Sequence, residues 1–456
     1  MRSYSSVIAA FVLVLMAGSG CAVVPESERP PNFVVILADD LGYGDVGSYG
    51  SVRNETPHID QLALEGLRFT DFHSNGPMCT PTRAALLTGR YQNRLGPEFE
   101  GALSGQDMYD LGMPHESETI AEALTEAGYV SGAYGKWHLG YKPPFLPTSQ
   151  GFAESWGLGS GDGDHHSHVD RSGRADWWHN DRLEMEEGYS VDLITDHAVD
   201  FIDHNSEKPF FLYVAHLAIH FPWQGPGDEG YREEGQGYHN LTKLGYFEED
   251  KDPSGKVKEM VEAVDGSVGR IVASVKANGL AENTLIIFTS DNGGYLTYEG
   301  GYHNISSNGP LRGQKTEVYE GGIRVPAVAW WPGRIEPGVT DEIVASFDLY
   351  PTFLELAGAG ERSDLELDGE SLVPVLLEGG AVRPRTLFWR MRERRAVRQG
   401  PWKLIAPAGK APELYHLADD IGESSDLSTE RPEMVEQLVR ELEAWEAEVA
   451  PRNGMR

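Results

Sequence analysis

The chain has 456 residues, with 38 Lys+Arg against 71 Asp+Glu and a formal charge of −33. Hydrophobic residues make up 40% of it and cysteines number only 2, which excludes global disorder, a disulfide framework and a cysteine-rich zinc module. Nucleic acid is excluded as a general partner, because so acidic an exterior repels it.

In chain order, residues 1–21 combine a basic start with an apolar run over 7–17 and then Gly18-Ser19-Gly20-Cys21. This predicts an export signal, since a spanning helix needs about 20 apolar residues. The small residues before Cys21 match a lipoprotein cleavage box, with Gly18 where an aliphatic is usual. Cys21 is therefore expected to carry lipid, tethering an exported chain in the periplasm or at the cell surface. Residues 22–31 form a polar linker. The continuous apolar run Asn32–Ala38 predicts a strand buried on both faces. Helical patterns follow over 59–66, 83–87 and 119–127, and further strands at Phe210–Ala215 and 285–289. Between those two strands, residues 257–278 place Val261, Val264, Val268, Ile271 and Val275 on one helical face. Strands alternating with helices predict an α/β domain over 32–360, its large, mainly parallel sheet flanked by helices. From 361 to 456 the texture changes to short strands at 386–389, 395–398, Trp402–Ile405 and 414–417 and a closing helix, Pro432–Val449. These predict a smaller C-terminal α+β subdomain with an antiparallel sheet.

Ligands of open α/β sheets collect beyond the carboxyl ends of the strands. Two predicted strands run directly into polar pairs there, Asp39-Asp40 and Asp291-Asn292. Either pair alone is more readily read as a turn. Together, three carboxylates and an amide at one sheet edge suit a hard divalent cation, Ca²⁺ or Mg²⁺. A third element is Cys79-Thr80-Pro81-Thr82-Arg83. Pro81 fits a first helical turn, which puts Cys79 where free N–H groups favour an anion, with Arg83 one turn on. A lone cysteine is usually a small buried hydrophobe; in this setting a nucleophile is the better reading.

The segment 77–90, with that core and the tail Leu87-Thr88-Gly89-Arg90, resembles the signature of the formylglycine-dependent (type I) sulfatases of the alkaline phosphatase superfamily. Thr82 stands where serine is frequent. Further matches follow in the family's order: Gly135-Lys136-Trp137-His138-Leu139-Gly140, His220-Phe221-Pro222, the 309–315 run ending in Gln314-Lys315, the 320–326 run, and the 348–352 run. Gln314 replaces a more usual glycine.

The resemblance implies an alkaline-phosphatase-like fold and oxidation of Cys79 to Cα-formylglycine by a maturation enzyme, the aldehyde hydrate being the nucleophile. It implies that Asp39, Asp40, Asp291 and Asn292, with modified Cys79, hold one metal ion, Ca²⁺ ahead of Mg²⁺. Arg83 would ease formation of the alkoxide and Asp291 would act as its base. Lys136, Lys315 and His220 would hold the sulfate, and His220 or Lys315 would protonate the leaving alcohol. His138 would take the proton that releases sulfate from the hydrate. His216 has no matched role and is expected to be structural. Between the Lys136 and His220 motifs, His165, His166, His168, Trp177 and Trp178 are expected to form a glycan subsite, with His303 a weaker member. The resulting reading is an exported sulfatase that degrades a sulfated polysaccharide or oligosaccharide. The alternatives are a phosphonate monoester or phosphodiester hydrolase of the same superfamily, and a catalytically silent glycan-binding lipoprotein.

Overall fold

The computed structural model describes residues 29–104, 106–238, 251–360, 362 and 365–450. The expected export signal, Cys21 and most of the linker lie outside the described residues. Among the described residues, no helix is long and apolar enough to cross a membrane.

A ten-stranded sheet forms the centre. Its five middle strands are parallel, in the spatial order Thr284–Ser290, Asn32–Ala38, Phe210–Ala215, Val130–Gly135 and Glu154–Gly157. Ala327–Trp330 and Leu67–Phe69 extend one side antiparallel, with Gly338–Thr340 at that edge. The short strands Trp178–His179 and Arg182–Leu183 extend the other. Every residue of Asn32–Ala38 is buried, and its alternate side chains enter different cores. Val34 and Ile36 pack with Phe201 and Ile202 of the Ser190–Asn205 helix and with Val261, Val264, Val268 and Ile271 of the Ser254–Ala277 helix. Phe33, Val35 and Leu37 pack on the opposite face with Leu124 of Ile120–Glu126 and Phe353 of Leu349–Ala357. A strand covered on both faces has no polar side to present, which is why its sequence is continuously apolar.

The C-terminal part is a four-stranded antiparallel meander of Thr386–Met391, Arg394–Gln399, Trp402–Ile405 and Glu413–His416. The Pro432–Val449 helix covers it through Leu438, Leu442 and Trp445. Buried charge ties this layer to the main sheet. Lys403 Nζ meets Glu320 Oε1 at 2.7 Å, and Arg398 Nη2 meets Asp71 Oδ2 at 2.6 Å. Asp71, His73 and Glu320 lie close enough together to suggest a metal group, but Arg398, Arg324 and Lys403 already compensate their charge. The Trp389 indole N–H donates to the Ser74 carbonyl at 2.8 Å, so the small subdomain braces the segment that leads into Cys79.

Candidate active site

Strand register builds the site. Ala38 pairs with Ser290, which sets Asp39 beside Asp291 as the two chains leave the sheet. Gly135 pairs with Ala215 on the next strand over, and Lys136 N–H donates to the Ala215 carbonyl at 2.7 Å. The Cys79–Thr88 helix, wholly buried, brings its first residue to this edge. Gly89 closes that helix at φ +66, with its N–H on the Ala85 carbonyl. A Cβ there would lie 2.8 Å from Tyr350, so both backbone and packing call for glycine.

The carboxylates of Asp39, Asp40 and Asp291 and the sulfur of Cys79 place ligand atoms all within 4.8 Å of one another, and all four residues are buried. Three cations stand among them. Arg83 donates to Asp291 Oδ2 from Nε at 2.9 Å and to the Lys136 carbonyl from Nη1 at 2.6 Å. Lys136 bonds Asp39 and lies 3.3 Å from Cys79 Sγ; Lys315 bonds Asp40 and lies 3.4 Å from the same sulfur. Burial first, and then the neighbouring Asp291, push the Asp39 carboxyl up to about 7. Burial would raise Asp291 too, but Arg83 and the two lysines more than offset it and hold that carboxyl below its usual range. The Cys79 thiol is driven well up, by burial and then by Asp291 and Asp39, so the unmodified sulfur is a poor anion here.

The donor set fits a divalent metal. Three carboxylates and an amide are hard oxygen ligands. Asn292 donates through Nδ2 to Asp40 Oδ1 at 2.9 Å, while its buried Oδ1 has no partner among the described residues. A cation at this edge would engage that oxygen and relieve the crowding that raises Asp39.

Both predicted histidines have a fixed proton. His138 Nε2 lies 2.8 Å from the Leu103 carbonyl, which only accepts, so Nε2 carries the hydrogen and Nδ1 keeps its lone pair. That Nδ1 is buried without a partner among the described residues. Burial and then Lys136 hold the ring well below the usual imidazole range, so it is a neutral acceptor. By the same logic His220 donates from Nδ1 to the Phe221 carbonyl at 2.7 Å, which leaves Nε2 as an acceptor 4.0 Å from Asp40 Oδ2. Burial, Lys315 and Lys136 keep this ring neutral as well. It can donate from Nε2 only as an imidazolium, whereas Lys315 has protons in hand.

A cleft of about 310 Å³ opens above these groups, with Cys79, His138, His220 and Lys315 in its lining. The structure thus brings together the ten residues expected for metal and catalysis. The expected glycan subsite is different, because none of its six residues lines the cleft. His165 is fully buried and bridges Ser190 Oγ and the His220 carbonyl, while His166 caps the Gly225 carbonyl. His168 stacks on the fully buried Trp177, with ring centroids 4.2 Å apart. Trp178 donates to Asp176, and His303 is exposed beside Gly301. The cluster is a loop braced by its own rings. What that loop contributes to the cleft instead is Ser160, Gly161, Asp162, Asp170, Arg171 and Ser172. His216 is structural as expected, buried with Nε2 2.9 Å from Ser267 Oγ.

Comparison with known proteins agrees with this geometry. The family model described as Sulfatase matches residues 31–359, and one described as N-sulphoglucosamine sulphohydrolase, C-terminal, matches residues 314–448. The chain is 37% identical to N-acetylgalactosamine-6-sulfatase of Canis lupus familiaris over 401 residues, 83% of this chain and 71% of that protein. It is 34% identical to human (Homo sapiens) arylsulfatase A over 505 residues, covering 96% and 91% of the two. The crystal structure of Ps i-CgsB in complex with k-i-k-neocarrahexaose superposes with a TM-score of 0.78 at 32% identity, covering 92% of this chain and 93% of that one. The phosphonate monoester hydrolase of Agrobacterium radiobacter, at 19% identity and a TM-score of 0.63, shares the fold alone. On the residues matched, the fold and the motifs gathered at one sheet edge, the chain belongs to the sulfatase family of the alkaline phosphatase superfamily and is a sulfuric ester hydrolase.

Proposed function

We propose that this enzyme removes sulfate from a sulfated polysaccharide or an oligosaccharide derived from one, using a formylglycine made from Cys79 and one bound Ca²⁺. The observation that carries the reading is the placement of Cys79. It sits at a helix start, within 3.3 Å and 3.4 Å of two lysine ammonium groups and against a carboxylate cluster with an unpartnered amide oxygen. The names of relatives support the substrate class: one is an N-acetylgalactosamine-6-sulfatase, and one solved structure holds a neocarrahexaose.

Asp39, Asp40, Asp291 and Asn292 would hold the metal, which, with the oxidised Cys79, supplies an activated oxygen nucleophile. The chain's other residues handle charge and protons. Lys136 and Lys315 lie where the sulfate oxygens must come to reach position 79, and stabilise charge as it moves to the leaving oxygen. Lys315 protonates the departing alcohol, since neutral His220 presents only an acceptor. His220 Nε2 orients a donor on the substrate. His138 Nδ1 takes the proton whose removal restores position 79, and the Leu103 carbonyl fixes its tautomer. Gly161 leaves room for that ring: a Cβ there would lie 2.0 Å from His138 Cε1 and 2.3 Å from Nδ1. Gly161→Ala is therefore expected to lower kcat about 10²-fold by displacing the ring, read as released inorganic sulfate.

We further place the mature chain outside the cytoplasm, tethered by lipid on Cys21, on the strength of residues 1–21; labelling with a radioactive fatty acid tests it, and Cys21→Ser abolishes the label if it holds. The activity itself is tested on mature enzyme with defined sulfated sugars, an aryl sulfate and an aryl phosphonate. Release of sulfate from at least one sugar, with kcat/KM on the sulfate ester far above that on the phosphonate, is expected. Preference for the phosphonate would move the reading to the hydrolase alternative, and binding of sugars without turnover to the silent one.

A further inference from the structure

The wall of the cleft beyond His220 carries a cation that the chemistry above does not use. The Arg171 guanidinium carbon lies 5.0 Å from the Phe221 ring centroid, and that ring is 4.2 Å from the His220 ring. One aromatic residue therefore separates this cation from the sulfate-handling groups. Arg171 is held from behind. Its Nε and Nη2 both engage Asp162 Oδ2. The other oxygen of Asp162 accepts from Arg232 Nη2 at 2.8 Å. The Arg232 side chain is fully buried and pinned by its Nη1 on the Asp162 and Val169 carbonyls. The Arg171 carbonyl accepts from Tyr238 N–H at 2.7 Å. Asp162 thus serves two arginines, so these three side chains together keep one positive charge, and Asp170, which also lines the cleft, has its own partner in Arg174.

The outer edge of this guanidinium is open. Arg171 lines the cleft, its side chain is 33% exposed, and Nη1 makes no hydrogen bond to the protein among the described residues. A guanidinium already oriented on one edge and free on the other loses little entropy when it takes an oxyanion. Phe221 and Tyr298, packed 4.9 Å apart, add an apolar surface suited to a sugar face.

We propose that Arg171 is a specificity-determining residue that binds a second anionic group of the substrate, a carboxylate or a sulfate, on the sugar that carries the scissile sulfate or on its neighbour. The preferred substrates are then dianionic carbohydrates. This rests on the sulfated-carbohydrate reading above.

The test compares kcat/KM of mature enzyme on three probes: a monosulfated monosaccharide, its disulfated counterpart, and a disaccharide that joins the monosulfated sugar to a uronic acid. A charge-assisted hydrogen bond predicts that wild type favours at least one dianionic probe about 10- to 100-fold. Which probe is favoured tells sulfate from carboxylate. Arg171→Ala brings that ratio to about 1, and Arg171→Lys leaves it between the two. Because the ratio is taken within each variant, a folding defect that slows both substrates cancels. A wild-type ratio near 1, or a ratio that Arg171→Ala leaves intact, overturns the proposal while leaving the sulfatase reading in place. Failure of wild type to desulfate any sugar removes the underlying reading and the proposal with it.

Discussion

Replacing Cys79 by alanine is expected to lower kcat for sulfate release by about 10⁴- to 10⁶-fold while costing only about 1 kcal/mol of stability. The two effects separate because of what the sulfur does. Cys79 is 1% exposed, and its contacts are Asp39 at 3.2 Å and the two lysine ammonium groups. Both lysines keep their carboxylate partners when the sulfur is gone, Lys136 on Asp39 and Lys315 on Asp40, so no buried charge is stranded. The helix also survives, since alanine is the best helix former and N1 needs no side chain. Chemistry has no such substitute, because alanine offers no sulfur to oxidise and Cys79 is the only cysteine among the described residues. Rates from sulfate release and urea midpoints measure the two halves independently. Substantial residual turnover in the alanine variant would mean that position 79 is not the nucleophile.

Arg83→Met is expected to lose both activity and about 3–5 kcal/mol of stability. The Arg83 side chain is wholly buried, and Asp291 Oδ2 lies 2.9 Å from Nε and 2.8 Å from Nη2. Removing the guanidinium takes both Arg83 contacts from the buried Asp291 Oδ2 and frees the Lys136 carbonyl that Arg83 also satisfies. If Asp39, Asp40, Asp291 and Asn292 bind a divalent cation, that cation takes over part of the compensation. The variant is then expected to be least stable in chelator and to recover part of the loss as Ca²⁺ is added, since a ligand for the folded state alone stabilises it by mass action. Urea denaturation with and without Ca²⁺ reads this without any assay. A midpoint that matches wild type in chelator would show that Asp291 does not depend on Arg83.

The meeting of the candidate metal and catalytic residues at one sheet edge was legible in the sequence, from motifs and strand ends. Asp39-Asp40 and Asp291-Asn292 follow strands with buried apolar centres, residues 33–38 and 285–288, and in-register pairing of those strands is enough to bring the pairs together. The subsite was not legible. His165, His166, His168, Trp177 and Trp178 form the kind of cluster that binds ligands, but rings also brace a loop, and only burial tells the two apart. Arg171 and Asp162 lie in the same stretch with nothing local to mark them. Their role depends on Phe221 and Arg232, which arrive from 50 or more residues away in sequence. Several elements of the main sheet and its flanking layers also lie outside the predicted set, among them one central strand and one long helix. Val130–Gly135 reads Val-Ser-Gly-Ala-Tyr-Gly, too rich in small residues for intrinsic strand preference, and is a strand because Phe210–Ala215 pairs along its whole length. The Ser190–Asn205 helix did carry a period, with Ile194, Ala198, Phe201 and Ile202 on one buried face.

The central claim is that sulfate ester turnover runs through oxidised Cys79. Its most direct test is the mass of the peptide containing Cys79, measured across preparations matured to different extents, against kcat on one sulfate ester. Turnover is expected to rise in proportion to the fraction carrying the aldehyde and to extrapolate to zero where Cys79 is an unmodified thiol. Full turnover by protein whose Cys79 is entirely thiol would contradict it.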